Sequence, residues 1–596
     1  MAVARIATTY RVFSQTIDEP THVACGFEWL TTDSYALDPE HPPLARIGFA
    51  LGAKLDGARW RTDLDRVSRG TELLYRGDRY QHNLFVARVA NLPFFLLGLF
   101  AVFAWARRLF GDTVALTAAA LYSALPQILA HAGLATTDMT AAATVVFALY
   151  AFDLWLGGGP PASAPAVVPA SRRHAVLLAF AIALGLLSKF SFVIYFPAGA
   201  VVLLVERRLS RRAGQAGLPL LHLPFIALLA FLMVWAGYKF STGRLNDVRL
   251  KVLPPESVHY QAARYATYPG YEWMRPDLVV RYWDFARDAR KAGARGVDIV
   301  DWAKAAGYPS PAAGRAGNTT ADAPPIPKPA LLDRIREPFR AAWQYVAVHV
   351  DFPAPYFVVG AEYVRQHSAA GHPAYFLGRY HDQGWWYYFP VLLFYKTPLA
   401  FVLLALAGLV LLRRRAIAYV PLVMLLPALT SKINIGIRHV LPLYPILAIV
   451  AAYAAVALWK KSRAAAVVLV GWFFVAGALA HPDYLPYFNE LARRPGTIAT
   501  DSNLDWGQDL LRLEQVVREE RIDHLWISYF GSAPWTRHHL PGEELPRDRR
   551  VHGWVAVSEM QLRFGGPDNR ATGYQWLEEY QPVRRVGKSI RLYRIP

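Results

Sequence analysis

The chain runs to 596 residues, 54% of them hydrophobic and 18% charged, well below the roughly 25% charged content of an average soluble domain. Its formal charge of +19 comes without any DNA- or RNA-binding motif, so a nucleic-acid partner is excluded in favour of Lys and Arg gathered in the cytoplasmic loops of a membrane protein. A single cysteine, Cys25, excludes an internal disulfide and reads as a small apolar filler.

In chain order, residues 1–17 (MAVARIATTYRVFSQTI) are too short and too polar to span a bilayer, and they hold no apolar signal-peptide core. The sequence therefore reads as a polytopic protein whose first span is missing. Asp18-Glu19-Pro20-Thr21-His22 follows. Pro20 suits the first turn of a helix, which puts Asp18 and Glu19 at its N-terminus and His22 one turn after Asp18. Plain capping accounts for the acidic pair equally well. The run Asp38-Pro39-Glu40-His41-Pro42-Pro43 reads as an extended turn, and Leu44–Leu55 as an amphipathic helix suited to the membrane interface.

Ten apolar stretches then qualify as spans: 85–106, 113–131, 139–157, 173–188, 191–206, 219–239, 387–411, 416–431, 438–459 and 464–480. Basic clusters at Arg107-Arg108, Arg172-Arg173, Glu206–Arg212, Arg413–Arg415 and Lys460–Arg463 fall in alternate loops, which makes those loops cytoplasmic. The segments 1–84, 132–138, 188–191, 240–386, 432–437 and 481–596 then face outward. Residues 161–170 read as a linker and Ala312–Pro329 as a flexible excursion. The expected organisation is a first outer loop (1–84), helices (85–239), a large outer loop (240–386), further helices (387–480) and an extracytoplasmic α/β domain (481–596). In that last domain Thr497–Asp501, His524–Phe530, Trp554–Glu559 and Ser589–Ile595 read as strands, and Trp506–Arg521 as an amphipathic helix, suggesting a βαβ unit.

Several polar residues stand where chemistry is possible. Asp138 closes the outer loop 132–138, where Thr136 and Thr137 also make a capping cluster. Lys189, Arg438 and His439 sit at the outer ends of spans, positions that suit snorkelling or a lipid phosphate. Glu40 and His41 are weak metal candidates by themselves. Gly384–Phe389 reads first as an aromatic belt. Asp501, Asp505, Trp506 and Asp509 lie where a strand gives way to a helix, a place that ligands and capping turns both favour.

In this order and on this side, the Asp18-Glu19 pair, the Glu40–Leu44 run and Asp138 resemble the polytopic GT-C glycosyltransferases. The resemblance is to glycosyltransferase family 39, the protein O-mannosyltransferase and aminoarabinose transferase branch. Gly371–Gly378, Lys396-Thr397-Pro398, Arg438-His439, Tyr487–Glu490 and Asp501–Asp509 resemble a largely bacterial subgroup. The resemblance implies a mainly α transmembrane bundle in the cell membrane that moves a sugar from a polyprenyl-phosphate carrier to an extracytoplasmic lipid, glycan or protein acceptor, with inversion. It implies Asp18 as general base, Glu19 and Asp138 as further acidic site residues, and Glu40, His41 and Lys189 around the carrier phosphate or a metal; on the expected topology Arg438 and His439 reach the depth of that phosphate with Lys189, and His22 is close enough to Asp18 to share its site. A divalent metal on Glu40 and His41 stays open, and His41 stands where aminoarabinose transferases carry a lysine. The competing reading is a lipid or solute transporter, which would favour inverted repeats and broken mid-membrane helices. Convergence of Asp18, Glu40 and Asp138 on one cleft separates the two.

Overall fold

A backbone in an apolar setting must satisfy its own N–H and C=O groups, so long apolar runs close into helices. In the computed structural model, which describes residues 1–157, 172–209, 220–253, 339, 342–343, 345–563 and 573–596, helices dominate and strands are short. The chain folds as two units, one of residues 1–34, 41–237 and 364–596, the other of residues 35–40 and 238–363. The linker 161–170 and the excursion Ala312–Pro329 lie outside the described residues.

The larger unit opens with α1 (Ala2–Thr9), α2 (Glu19–Thr31), α3 (Leu44–Leu55), α4 (Arg66–Tyr75) and α5 (Tyr80–Val89). α2 packs on α3 and α4 around Val23, Phe27, Phe49, Leu73 and Leu84. The α2–α4 approach is close enough to require glycine, since a Cβ on Gly70 would stand 1.8 Å from the carbonyl oxygen of Pro20. The bundle proper continues with α6 (Leu92–Phe110), α7 (Asp112–Ala124), α8 (Pro126–Ala132), α9 (Asp138–Trp155), α10 (Arg172–Ser188), α11 (Phe192–Leu209) and α12 (Leu223–Gly237). Later helices at Tyr388–Lys396, Leu399–Leu411, Ala416–Leu429, Leu443–Lys461 and Arg463–Leu479 complete it. α6 packs on α7 and α9, α11 on Ala416–Leu429, and Leu443–Lys461 on α7 and Leu399–Leu411.

Helices form at all ten expected stretches, but not ten uniform spans. Among the described residues four helices are long and apolar enough to cross a membrane, or up to six if each bent pair is one span. The expected span 113–131 is bent by 62° where Pro126 starts α8, and the expected span 387–411 by 119° around Thr397-Pro398. Proline has no N–H to donate and disfavours helix in the residue before it, which is the physical reason both stretches break. The turn at Ser188–Ser191 separates α10 from α11 as two helices.

The C-terminal sheet has the order β6-β5-β7-β9-β8, built from β5 (Leu525–Ser528), β6 (Gly542–Glu544), β7 (Gly553–Ser558), β8 (Arg584–Val586) and β9 (Ile590–Ile595). β5 runs parallel to β6 and β7, while β9 is antiparallel to β7 and β8. The helix Leu510–Glu519 presents Leu510, Leu513, Val516 and Val517 to the core beneath the sheet. The expected strand over 497–501 is not formed. Pro495–Ile498 is a helical turn, and only Ala499 bridges to Phe376, so no βαβ unit begins there. Proline at the first helical position favours that turn.

In the smaller unit, β1 (Thr242–Arg244) pairs antiparallel with β2 (Asp351–Pro353); in the larger, β3 (Ala374–Phe376) pairs antiparallel with β4 (Arg379–His381). Arg249, on α13 (Leu245–Val252), makes a bidentate pair with Glu362 at 2.8 and 3.1 Å.

Candidate functional site

Four charged side chains from distant parts of the chain meet within the larger unit. Asp18 precedes α2 without capping it, and its Oδ2 accepts a hydrogen bond from Arg438 Nη1 at 2.7 Å. Asp138 opens α9, where Thr137 makes no side-chain cap, and its Oδ1 accepts from Lys189 Nζ at 2.6 Å. Asp138 Oδ2 lies 4.0 Å from Arg438 Nη1 and 3.9 Å from His131 Nδ1. The start of α9, the α10–α11 turn and the turn ahead of Leu443–Lys461 are thereby drawn together. Simple capping accounts for neither carboxylate. The Asp138 side chain is 1% exposed and that of Asp18 34%, so Asp18 is the carboxylate at the mouth of the cluster.

Arg438 is the hinge of this arrangement. Burial works against its charge, and Asp18, Asp138 and Asp501 outweigh that, raising its pKa further above the ordinary arginine value. Its guanidinium lies 4.4 Å from the centroid of the Trp506 ring, a cation–π contact worth about 0.5–2 kcal/mol. The Asp501–Asp509 run supports both ends of the Asp18–Arg438 pair. On the Asp18 side, Ile17 N donates to the Trp506 carbonyl at 3.1 Å, Ser14 N to that of Gln508 at 3.0 Å and Ser14 Oγ to that of Gly507 at 3.0 Å. On the Arg438 side, Asn503 Oδ1 accepts from Ile437 N at 3.0 Å, and Ser502 Oγ donates to the Ile435 carbonyl at 2.6 Å. The buried amino group of Lys396 ties Asn503 in turn, donating to its carbonyl at 2.6 Å and to that of Leu485 at 2.7 Å.

The three aspartates of this run divide the work. Asp501 adopts a left-handed φ of 53° near Arg438, and burial raises its carboxyl against the pull of that arginine. Asp505 accepts from Met560 N at 2.8 Å and Gly507 N at 3.3 Å, and burial pushes it up to about 7 despite those bonds. Asp509 accepts from Ser589 Oγ at 2.8 Å and Arg512 Nη1 at 3.1 Å. Between them Gly507, at φ 84°, has no room for a side chain, since a Cβ would stand 2.6 Å from Gly531 Cα. Asp505 and Asp509 thus act as internal fasteners of the C-terminal α/β segment, and Trp506 is the member that reaches Arg438.

Glu19 takes a different place from the one expected beside Asp18. It is fully buried, and its two oxygens accept from Arg88 Nε and Nη2, both at 2.8 Å. The same carboxylate accepts from Ala135 N and Thr16 N, each at 2.8 Å. Burial works to raise this carboxyl, and Arg88 with the two backbone donors outweighs it, keeping Glu19 ionised. With its oxygens engaged from three sides, Glu19 is a clamp joining the segment before α2, α5 and the loop before Asp138. His22 also turns from Asp18. Its Nδ1 accepts from Arg46 Nε at 3.0 Å, and its ring meets His41 edge-on at 5.1 Å. His41 Nδ1 lies 3.2 Å from Thr137 Oγ1, and burial among Arg46, Lys189 and Arg438 keeps its imidazole neutral. His439 is held neutral by burial beside Lys189 and Arg438. Glu40 belongs to the smaller unit, and of the three residues expected to share one cleft, Asp18 and Asp138 meet at Arg438. Among the described residues no group of three or more His, Cys, Asp or Glu could hold a metal ion.

Sequence reasoning missed Arg88, Arg46, His131 and Asn503. Arg88 carried the clearest signal, an arginine inside an apolar run, because ionisable groups at membrane depth are rarely idle. Asp138 Oδ2, Arg438 Nε, both ring nitrogens of His131 and Nε2 of His439 are buried without a hydrogen-bond partner among the described residues. Each such group costs about 1–3 kcal/mol unless something pairs with it. Their concentration around one ion-pair cluster marks it as a place built for a polar ligand.

Residues 80–236 match the family described as dolichyl-phosphate-mannose-protein mannosyltransferase, over α5 to α12. Among curated proteins none matches the chain. Among solved structures the chain is similar to ArnT from Cupriavidus metallidurans bound to undecaprenyl phosphate, at 15% identity over 99% of this chain and 96% of that one, with a TM-score of 0.31. It is also similar to the oligosaccharyltransferase AglB from Archaeoglobus fulgidus in complex with an inhibitory peptide and a dolichol-phosphate, at 12% identity over 99% of this chain and 73% of that one, with a TM-score of 0.42. Both superpositions are loose.

Proposed function

We propose that this protein is a membrane glycosyltransferase that moves a sugar from a polyprenyl-phosphate carrier to a hydroxyl-bearing acceptor on the extracytoplasmic side. The observation that carries the reading is the meeting of Asp18 and Asp138 at Arg438 and Lys189. The family match over 80–236 supports the same chemistry, since it includes Asp138 and Lys189.

The acceptor oxygen attacks the anomeric carbon, the bond from that carbon to the carrier phosphate oxygen breaks, and the acceptor proton passes to a carboxylate. Asp18 suits the last role, being the more exposed carboxylate and having only Oδ2 engaged by Arg438. The departing phosphate needs fixed positive charge. Lys189 spends one of its three N–H donors on Asp138, and Arg438 keeps Nε without a partner, so both have donors left for phosphate oxygens. Asp138 orients the two cations. His41 and His439, held neutral, offer hydrogen bonds rather than charge, so Lys189 and Arg438 supply the charge expected of position 41 in aminoarabinose transferases.

Asp18→Asn tests the assignment. It keeps the volume and a hydrogen-bond acceptor for Arg438 but removes the base, so transfer from a polyprenyl-phosphate sugar falls by about 10²-fold or more while thermal unfolding in detergent stays close to wild type. Undiminished transfer would remove Asp18 as base.

A further inference from the structure

Two neighbouring cavities, one between the α3–α4 connection and α4 and the other between α3, α4 and α5, have no part in sugar transfer as described above. The first, about 180 Å³, is lined by Arg59, Arg61, Arg69 and Arg76 with Trp60 and Glu72. The second, about 130 Å³, shares Leu73 and Arg76 with it and is lined by apolar side chains such as Phe49, Leu74 and Val86 together with Asp56, His82 and Asn83. The first is strongly basic. Its one lining carboxylate, Glu72, is already engaged by Arg537, Arg61 is paired with the neighbouring Asp63 at 2.6 and 3.1 Å, Arg76 donates to the Asp56 carbonyl, and Arg59 has no ion pair or hydrogen bond among the described residues.

Arg69 is fixed in place independently of any ligand. Its Nε donates to the Leu64 carbonyl at 2.6 Å and its Nη2 to that of Thr62 at 2.7 Å. Its guanidinium also lies 4.9 Å from the centroid of Trp60, which in turn stacks on Phe27 at 5.9 Å. A guanidinium held from behind loses little entropy on binding an anion, and several arginines around one cavity suit a tetrahedral oxyanion better than a planar carboxylate. The second cavity is bordered by Leu55, and the outer edge of α3 leaves Leu51 45% and Leu55 77% exposed. An exposed apolar edge beside a basic pocket is the pattern of an element lying in a membrane interface.

We infer that the paired cavities bind a phosphate-bearing amphiphile, its phosphate among Arg59, Arg61, Arg69 and Arg76 and its apolar part against Leu73 and the second cavity. The site is separate from the Asp18–Arg438 cluster, so it stands or falls independently of the transferase reading. Free phosphate shares the headgroup chemistry without the apolar part, and the test separates the two.

The full-length protein is placed in phosphatidylcholine nanodiscs with a photoactivatable phosphatidic acid, and labelled peptides are mapped. Label concentrates in residues 49–87 of the wild type and falls by about tenfold or more in the double variant Arg59→Glu/Arg61→Glu, whose two sites are exposed. Asp18→Asn labels as wild type does, which keeps this site distinct from catalysis. Displacement of the label by inorganic phosphate supports recognition of phosphate from either source, and label that resists phosphate supports a lipid ligand. Equal labelling of the double variant and wild type, or equal labelling by a photoactivatable phosphatidylcholine, overturns the inference.

Discussion

Replacing Glu19 by Gln tests whether this residue is a clamp or a second catalytic acid. In the wild type its carboxylate receives both guanidinium bonds from Arg88 and the backbone N–H groups of Thr16 and Ala135, four contacts at 2.8 Å with no exposure on either partner. Glutamine keeps the shape but offers one oxygen. Its amide NH₂ then faces N–H donors, and the Arg88 charge stays buried without a counter-charge. Breaking a buried pair in this way costs about 3–5 kcal/mol, against about 1 kcal/mol for an ordinary neutral hydrogen bond. A loss of that size lowers the apparent Tm by roughly 2–4 °C in a chain of this length, readable by intrinsic tryptophan fluorescence in detergent. Transfer activity falls in parallel, because Ala135 stands three residues before Asp138 and the segment before α2 carries Asp18. Activity abolished at an unchanged Tm would refute the clamp and return Glu19 to the chemistry.

Two further outcomes follow from the same geometry. Gly70→Ala destabilises the protein by about 1–3 kcal/mol through overpacking, although alanine gains about 1 kcal/mol in helix propensity, because its Cβ meets the Pro20 carbonyl. A raised Tm in that variant would show the α2–α4 approach to be looser than described. Asp505 has its carboxyl raised by burial from the ordinary aspartate range to about 7. A raised folded-state pKa means stability that is present below about pH 4 and lost as pH rises through 7. Asp505→Asn removes that titration, so the wild type loses Tm relative to the variant between about pH 4 and 7. A difference that stays constant over this range contradicts the buried, uncompensated carboxyl.

The apolar runs were legible in the sequence because a helix that must satisfy its own backbone leaves a local signature about 20 residues long. The positions of α6, α9 and α12 follow from that signature. The amphipathic α3 and the apolar-rich strands β5, β7 and β9 were legible locally as well. The bends at Pro126 and Pro398 were also written locally, yet the apolar count outweighed the prolines and the stretches read as continuous. Asp18, Asp138, Lys189 and Arg438 were each visible as charged residues at helix ends. Their pairing was not, because Asp18 and Arg438 stand 420 positions apart and only chain packing brings them to 2.7 Å.

The division between Asp18 and Glu19 shows where local reasoning stops. In sequence they are adjacent and chemically equivalent, and a helix N-terminus favours both as anions. Successive residues at a helix start point about 100° apart, so the tertiary fold sends Glu19 inward to Arg88 and leaves Asp18 at the mouth facing Arg438. The sequence by itself determined the apolar helices and the inventory of charges. The tertiary structure decided which charges neutralise one another in the interior and which retain free donors and acceptors for a ligand, because burial and partnership depend on contacts between segments that no local pattern encodes.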